Sequence, residues 1–395
     1  MTSTEGASIA ASSRRMSWDM IRVIAIIFVV LGHVTNLAAK VPGIDAYPFA
    51  VSIPFGTVTL LVLSGYFIGP TIRRGAPGRW FRARLARMLP AYLVALLLTY
   101  LAARWLVVGF NGWTHQPGII GFLFAAPVTP EPPDPDALPP WHVPDLPDLL
   151  LHGTLLHLWN DDTYHQIDGS WWTMPVQVLA FAGAALLWRS RVRHTLRPQT
   201  VLWIIMGVAA ASPLLGVVWD RLPIATGLFY AYLFAVGMAI WLWQRRRLTT
   251  PHLLAMLLTA VVLHALRTNG PKVASVIGFA IMLGLMCLAA RGPDWDLPVL
   301  RLLRKPVSWL AGISFGVYLV HQALGFQLAR VLSDAGVSAW WLRLSMVVAF
   351  VLLLGWLVTV AVERPAYRVL TGARPVTSAA GGRDREPAVS VGGPT

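Results

Sequence analysis

The sequence predicts an all-α fold: a polytopic transmembrane helical bundle of about ten membrane-spanning helices. Three observations carry this. Hydrophobic residues make up 56% of the 395 and charged residues 13%, about half the charged share of a soluble domain. The apolar residues fall into runs long enough to cross roughly 30 Å of hydrocarbon. The formal charge of +14 is spread as short basic clusters between those runs. That is the pattern of positive-inside loops and not of a nucleic-acid stripe, so no nucleic-acid partner is expected and the lipid bilayer is.

In chain order, apolar runs near 19–40, 50–70, 88–109, 171–188, 200–218, 224–243, 252–267, 273–290, 307–327 and 340–361 are the candidate helices. Strict alternation from a cytoplasmic N-terminus puts 24 of the 32 Lys and Arg on inside segments and six outside, leaving Arg22 and Arg104 within helices. Both termini are therefore expected in the cytoplasm, with the chain multi-pass in the cell inner (plasma) membrane. Residues 1–18 read as an N-terminal segment without a signal-peptide cleavage pattern, and 19–370 as the membrane domain. Residues 371–395, rich in Gly, Pro and Ala, read as a disordered cytoplasmic tail. Residues 105–188 hold no Lys or Arg but eight carboxylates, which predicts an outer loop at about 110–170. Within it, 118–126 and 146–159 are apolar enough to lie on the membrane surface or cap a cavity. The single Cys287 leaves no disulfide framework within one chain.

The first run carries the candidate chemistry. His33 follows Arg22 by 11 residues, about three helical turns, so both side chains leave by one face, roughly 16 Å apart. Charged and titratable groups are costly in hydrocarbon and usually face a bundle interior or wet cavity. Asp19 lies three residues before Arg22, within pairing reach. Asn36 lies one turn beyond His33, where it would orient the imidazole. A neutral imidazole in a partly dry cavity is a competent general base. The plain alternative is a histidine bonded between packed helices, with Arg22 snorkelling to the inner surface.

Between the second and third runs, Arg84 and Arg87 share a helix face and suit bidentate contact with phosphate, or act only as a topology signal. His321 follows Tyr318 by one turn and reads equally as an interhelical hydrogen bond or a catalytic group. His152, His157 and His165 with Asp161 and Asp162 match no standard zinc spacing, so no metal is expected.

Five segments then line up: Asp19-x-x-Arg22-x10-His33, Leu63-Ser64-Gly65-Tyr66-Phe67, Arg84-x-x-Arg87-Met88-Leu89-Pro90, the run Ile313 to His321, and Val362-Glu363-Arg364-Pro365. In this order they resemble the integral-membrane acyltransferase-3 family, bacterial enzymes that acylate envelope sugars or secreted metabolites. The resemblance implies that His33 is catalytic with Arg22 as its companion, and that Arg84 and Arg87 engage acyl-CoA from the cytoplasm. Asp19, Asn36, Ser64, Tyr318, His321 and Gln177 are the supporting positions. The implied reaction moves a short acyl group, most simply acetyl, to a hydroxyl of a cell-envelope saccharide, glycolipid or glycosylated metabolite. Acyl-CoA (acetyl-CoA) is then a donor substrate, and no tightly bound cofactor is expected.

One position departs from the family pattern. A Trp-x-x-x-x-Glu is common after the large loop, and here Trp172 is followed by Gln177, which hydrogen-bonds but takes no proton. Two other readings stand beside the enzyme. A transporter or flippase of an envelope precursor would use Arg22 and His33 as a relay, and predicts matching halves that the sequence does not display. A catalytically silent glycan-binding relative is the other, with Gln177 as its support.

Overall fold

The computed structural model describes residues 15–36, 41, 43–73, 75–130, 139–160, 166–268, 272–295 and 297–372. The first 14 residues, the tail from 373, and His165 with Asp161 and Asp162 lie outside that set. Fourteen helices build the described part: α1 (Met16–Val34), α2 (Gly56–Ile72), α3 (Pro77–Phe110), α4 (Gly118–Phe124), α5 (Leu146–Gly153), α6 (Thr173–Arg189) and α7 (Pro198–Ala211), then α8 (Ala231–Gln244), α9 (Thr250–Arg267), α10 (Lys272–Arg291), α11 (Pro298–Val320), α12 (Ala323–Asp334), α13 (Trp340–Val358) and α14 (Arg364–Thr371). A one-turn helix at Val192–Thr195, another at Leu222–Ala225, and short 3₁₀ turns connect them. A π-turn, Thr359–Glu363, joins α13 to α14.

Seven of these segments are long and apolar enough to cross a membrane, and the count reaches eight when the bent pair α11–α12 is taken as one span. The expected count of about ten is therefore approximate. Two short helices account for the difference, and two boundaries also fall elsewhere. Helix α2 has 17 residues, and α8 taken together with the 3₁₀ turn before it, Leu228–Gln244, is equally short. The run expected as one helix over 307–327 breaks at His321, and its two parts meet at 72°. The arginine-rich stretch 79–87, expected between helices, is the opening of α3 itself. Pro77 at the first helical position starts that helix early.

Glycines let the central helices touch backbone to backbone. A Cβ on Gly237 of α8 would stand 2.2 Å from the Val62 carbonyl oxygen of α2, and one on Gly65 would stand 2.6 Å from that of Phe234. The same device joins α11 to α13: a Cβ on Gly316 would lie 2.2 Å from the Gly355 oxygen. Small residues at helix crossings are how membrane helices gain close packing without a hydrophobic drive between them. The first turn of α1 is closed by the Asp294 carboxylate, which accepts from the Met16 and Ser17 amides at 2.8 and 2.9 Å.

The segments 111–130 and 139–160 are tied down by α3. Arg104 is fully buried, and its guanidinium donates to the carbonyls of Phe122, Pro144, Gly121 and Ala125 at 2.8, 3.3, 3.2 and 2.7 Å. Five donors in a rigid fork make arginine suited to gathering several carbonyls at once. Tyr92 adds a bond from its hydroxyl to the His152 carbonyl at 2.8 Å. Helix α5 begins with a capping box between Asp145 and Asp148.

Candidate active site

A cavity of about 870 Å³ opens among the helices, lined by residues of α1, α2, α3, α6, α8 and α11. Asp19, Arg22, Ser64, Arg84, Arg87, Gln177 and Tyr318 all line it. At one end sit the arginines. Arg84 donates from Nη2 to the Thr71 hydroxyl at 2.7 Å and the Phe67 carbonyl at 3.3 Å. Its guanidinium also lies 5.5 Å from the Trp80 ring centroid and 5.7 Å from that of Phe181. A planar cation between two rings keeps its charge at modest cost. Arg87 donates from Nε to Glu363 at 3.0 Å. That carboxylate is buried, while the arginine side chain stays about half exposed at 49%. Arg22 lies 5.9 Å above the Phe67 ring.

At the other end the loop closes over the break between α11 and α12. Asp168 accepts from the Ser170 amide and hydroxyl at 2.8 and 2.6 Å, and from the Ala323 amide, the first of α12, at 2.9 Å. Burial pushes the Asp168 carboxyl up to about 6 against these three donors. The Trp171 indole donates to the Leu319 carbonyl at 3.1 Å, and the Tyr318 hydroxyl donates to the Ser170 carbonyl at 2.6 Å. The Tyr318 hydroxyl also lies 2.8 Å from that of Thr173.

This closure shapes His321. A helix end leaves its last carbonyls without partners in the helix, and His321 takes one of them: its Nδ1 lies 2.7 Å from the Tyr318 oxygen. A carbonyl only accepts, so the proton sits on Nδ1 and the lone pair on Nε2. His321 is fully buried, and its Nε2 has no hydrogen-bond partner among the described residues. Its ring lies 5.5 Å from that of Tyr318 and 5.0 Å from that of His33, the latter at 63°. Three rings thus run from the cavity wall to the first helix: Tyr318, His321, His33. Neither imidazole lines the cavity itself.

Asn36, expected to orient His33, uses its Nδ2 on the Gly32 and Val51 carbonyls at 2.8 and 3.3 Å. It pins the end of α1 to the segment that follows, and the group beside the His33 ring is His321. His152 and His157, weighed as metal ligands, stack face to face at 4.3 Å. Among the described residues, no group of three or more His, Cys, Asp or Glu is arranged to hold a metal ion.

The model of the type-3 acyltransferase domain family matches residues 16–360 of this sequence. The chain belongs to that family. No curated protein and no solved structure matches it. In this acyltransferase the Gln177 amide oxygen lies 3.4 Å from the Ser64 hydroxyl, and both line the cavity. The Gln177 side chain therefore faces the cavity, with a neutral group in it. Sequence reasoning missed three parts of the acyltransferase. Glu363 was legible as part of a motif, not as the partner of Arg87 across 276 positions. Asp168 carries a readable signal, an Asp directly before a helical start, but nothing local tells that it reaches Ala323. The break at His321 has no Pro or Gly to announce it.

Proposed function

We propose that the acyltransferase moves a short acyl group, most simply acetyl, from acyl-CoA to a hydroxyl of a cell-envelope saccharide, glycolipid or glycosylated metabolite. The chain would sit in the inner membrane with both ends in the cytoplasm, so that the arginine end of the cavity meets the donor. One observation carries the reading: a single cavity has Arg84 and Arg87 at one end and Tyr318 at the other, with His321 and His33 directly behind Tyr318.

On this reading Arg84 and Arg87 hold the CoA phosphates, and the pantetheine arm runs along the cavity toward Tyr318. Arg84 is fixed by Thr71 and two rings, so it is set before the donor arrives; such preorganisation lowers the cost of binding. His33 takes the proton of the acceptor hydroxyl as the oxygen attacks the thioester carbonyl carbon. The carbon–sulfur bond breaks, and the proton passes to the departing CoA thiolate. His321, between Tyr318 and His33, keeps its Nε2 lone pair in reserve. It accepts an N–H from the imidazolium that forms, as a carboxylate does in a hydrolase triad. Arg22, roughly 16 Å down the helix from His33, helps to seat the donor. A positioned general base of this kind is worth about 10²–10⁴ in rate.

The test is a transfer assay on purified protein in proteoliposomes, with labelled acetyl-CoA on the arginine side and an envelope saccharide as acceptor. Label should appear on the saccharide. The Arg84→Ala/Arg87→Ala pair should raise KM for acetyl-CoA at least about tenfold, with a smaller change in kcat. An unchanged KM would remove the donor assignment. Saccharide transport without any donor would favour the relay reading instead.

A further inference from the structure

A second cavity, of about 570 Å³, lies on the other side of α6. Its walls are apolar: Val176, Ala180 and Ala184 from α6 face Val201 and Ile205 from α7 and Met238 from α8. Gly183 widens it, because a Cβ there would meet nothing within 4 Å. From Val176 to Leu187, both lining it, α6 rises about 16 Å, close to one leaflet of a hydrocarbon core about 30 Å thick. The two arginines lining it, Arg73 and Arg247, follow the last turns of α2 and α8, at the same end of the bundle as Arg84. Both are exposed, and Arg73 lies 5.8 Å from the ring of Trp241, which lines both cavities.

We infer that this groove holds one acyl chain of an anionic phospholipid, with the lipid phosphate at Arg73 and Arg247. An apolar channel one leaflet deep takes a single hydrocarbon chain, and two exposed arginines at its mouth select a negative headgroup over a zwitterionic one. The donor cavity is more polar along its length, carrying Asp19, Ser64, Thr173 and Gln177, so it does not offer a lipid tail the same lining. The site is separate from the transfer chemistry and stands whether or not acetyl is the group carried.

The experiment is native mass spectrometry of the full chain with phosphatidylglycerol and with phosphatidylcholine. Phosphatidylglycerol should be retained about tenfold more strongly or better, the preference two surface arginines supply together. Arg73→Ala/Arg247→Ala should abolish the preference. Arg79→Ala/Arg82→Ala, two exposed arginines near the start of α3 that line neither cavity, should leave it intact. Gly183→Trp, which fills the groove, should reduce retention of both lipids. Equal retention of the two lipids by the unaltered protein would overturn the inference, and so would a preference lost equally in both arginine pairs. Binding of CoA, measured alongside, reports on the donor cavity alone.

Discussion

At the scale of single residues, the proposed chemistry turns on which nitrogen of His321 holds the proton. The Tyr318 carbonyl settles that: it only accepts, so Nε2 keeps its lone pair in the dark interior beside His33. His321→Gln leaves an acceptor oxygen near that place, whereas His321→Leu leaves none. The leucine variant should lose about 10²-fold or more in kcat, and the glutamine variant should recover part of it, with KM for acetyl-CoA unchanged in both. If the two variants behave alike, His321 is only a packing residue. Arg104 shows the opposite case. It is as buried as any described residue, but its guanidinium donates to four carbonyls, so its role is to hold the loop.

At the scale of elements, two contacts decide whether those rings meet. The first is the crossing of α11 and α13 at Gly316 and Gly355, which sets the height of Tyr318 and His321. Gly316→Val would drive the helices apart, because its side chain would meet the Gly355 oxygen and the Thr359 hydroxyl. Stability should fall by about 1–3 kcal/mol, read as a lower thermal midpoint in detergent, and transfer should fall with it. The second contact is the loop on α3. Burial lowers the His152 imidazole to about 4 and that of His157 to about 3, so both are neutral in the docked loop. A released loop would take up protons from about pH 6.5 downward, so docking weakens as pH falls from 6.5 toward 4. Asp168 works the other way: its raised carboxyl favours the docked form below about 6, and loses that contribution as pH rises through 6. Two histidines outweigh one carboxyl, so a net loss of a few kcal/mol is expected by pH 4. Protection factors for hydrogen exchange at residues 139–160, with the base-catalysed intrinsic rate divided out, should therefore fall between pH 6.5 and 4. Protection factors that hold or rise on acidification would show that the histidines are not buried as described.

At the scale of the whole molecule, the sequence carried the helical class and several of the residues that line the cavity, because each is written in local hydropathy or a short motif. What escaped it was long-range. Residues 168 and 323 meet only when the loop folds over a broken helix, and 87 and 363 meet only when α3 lies against the π-turn. The number of spans also blurred, since an apolar run does not record where a helix stops inside it. His33 itself was singled out for sharing a helix face with Arg22. The fold gives it a second reason to matter, an imidazole at 5.0 Å. The most direct measurement is single-turnover transfer of labelled acetyl by His33→Ala beside the unaltered protein, with CoA binding checked in both. The account predicts normal binding and a transfer rate lower by about 10²-fold or more; a variant that binds CoA and transfers at the full rate would contradict it.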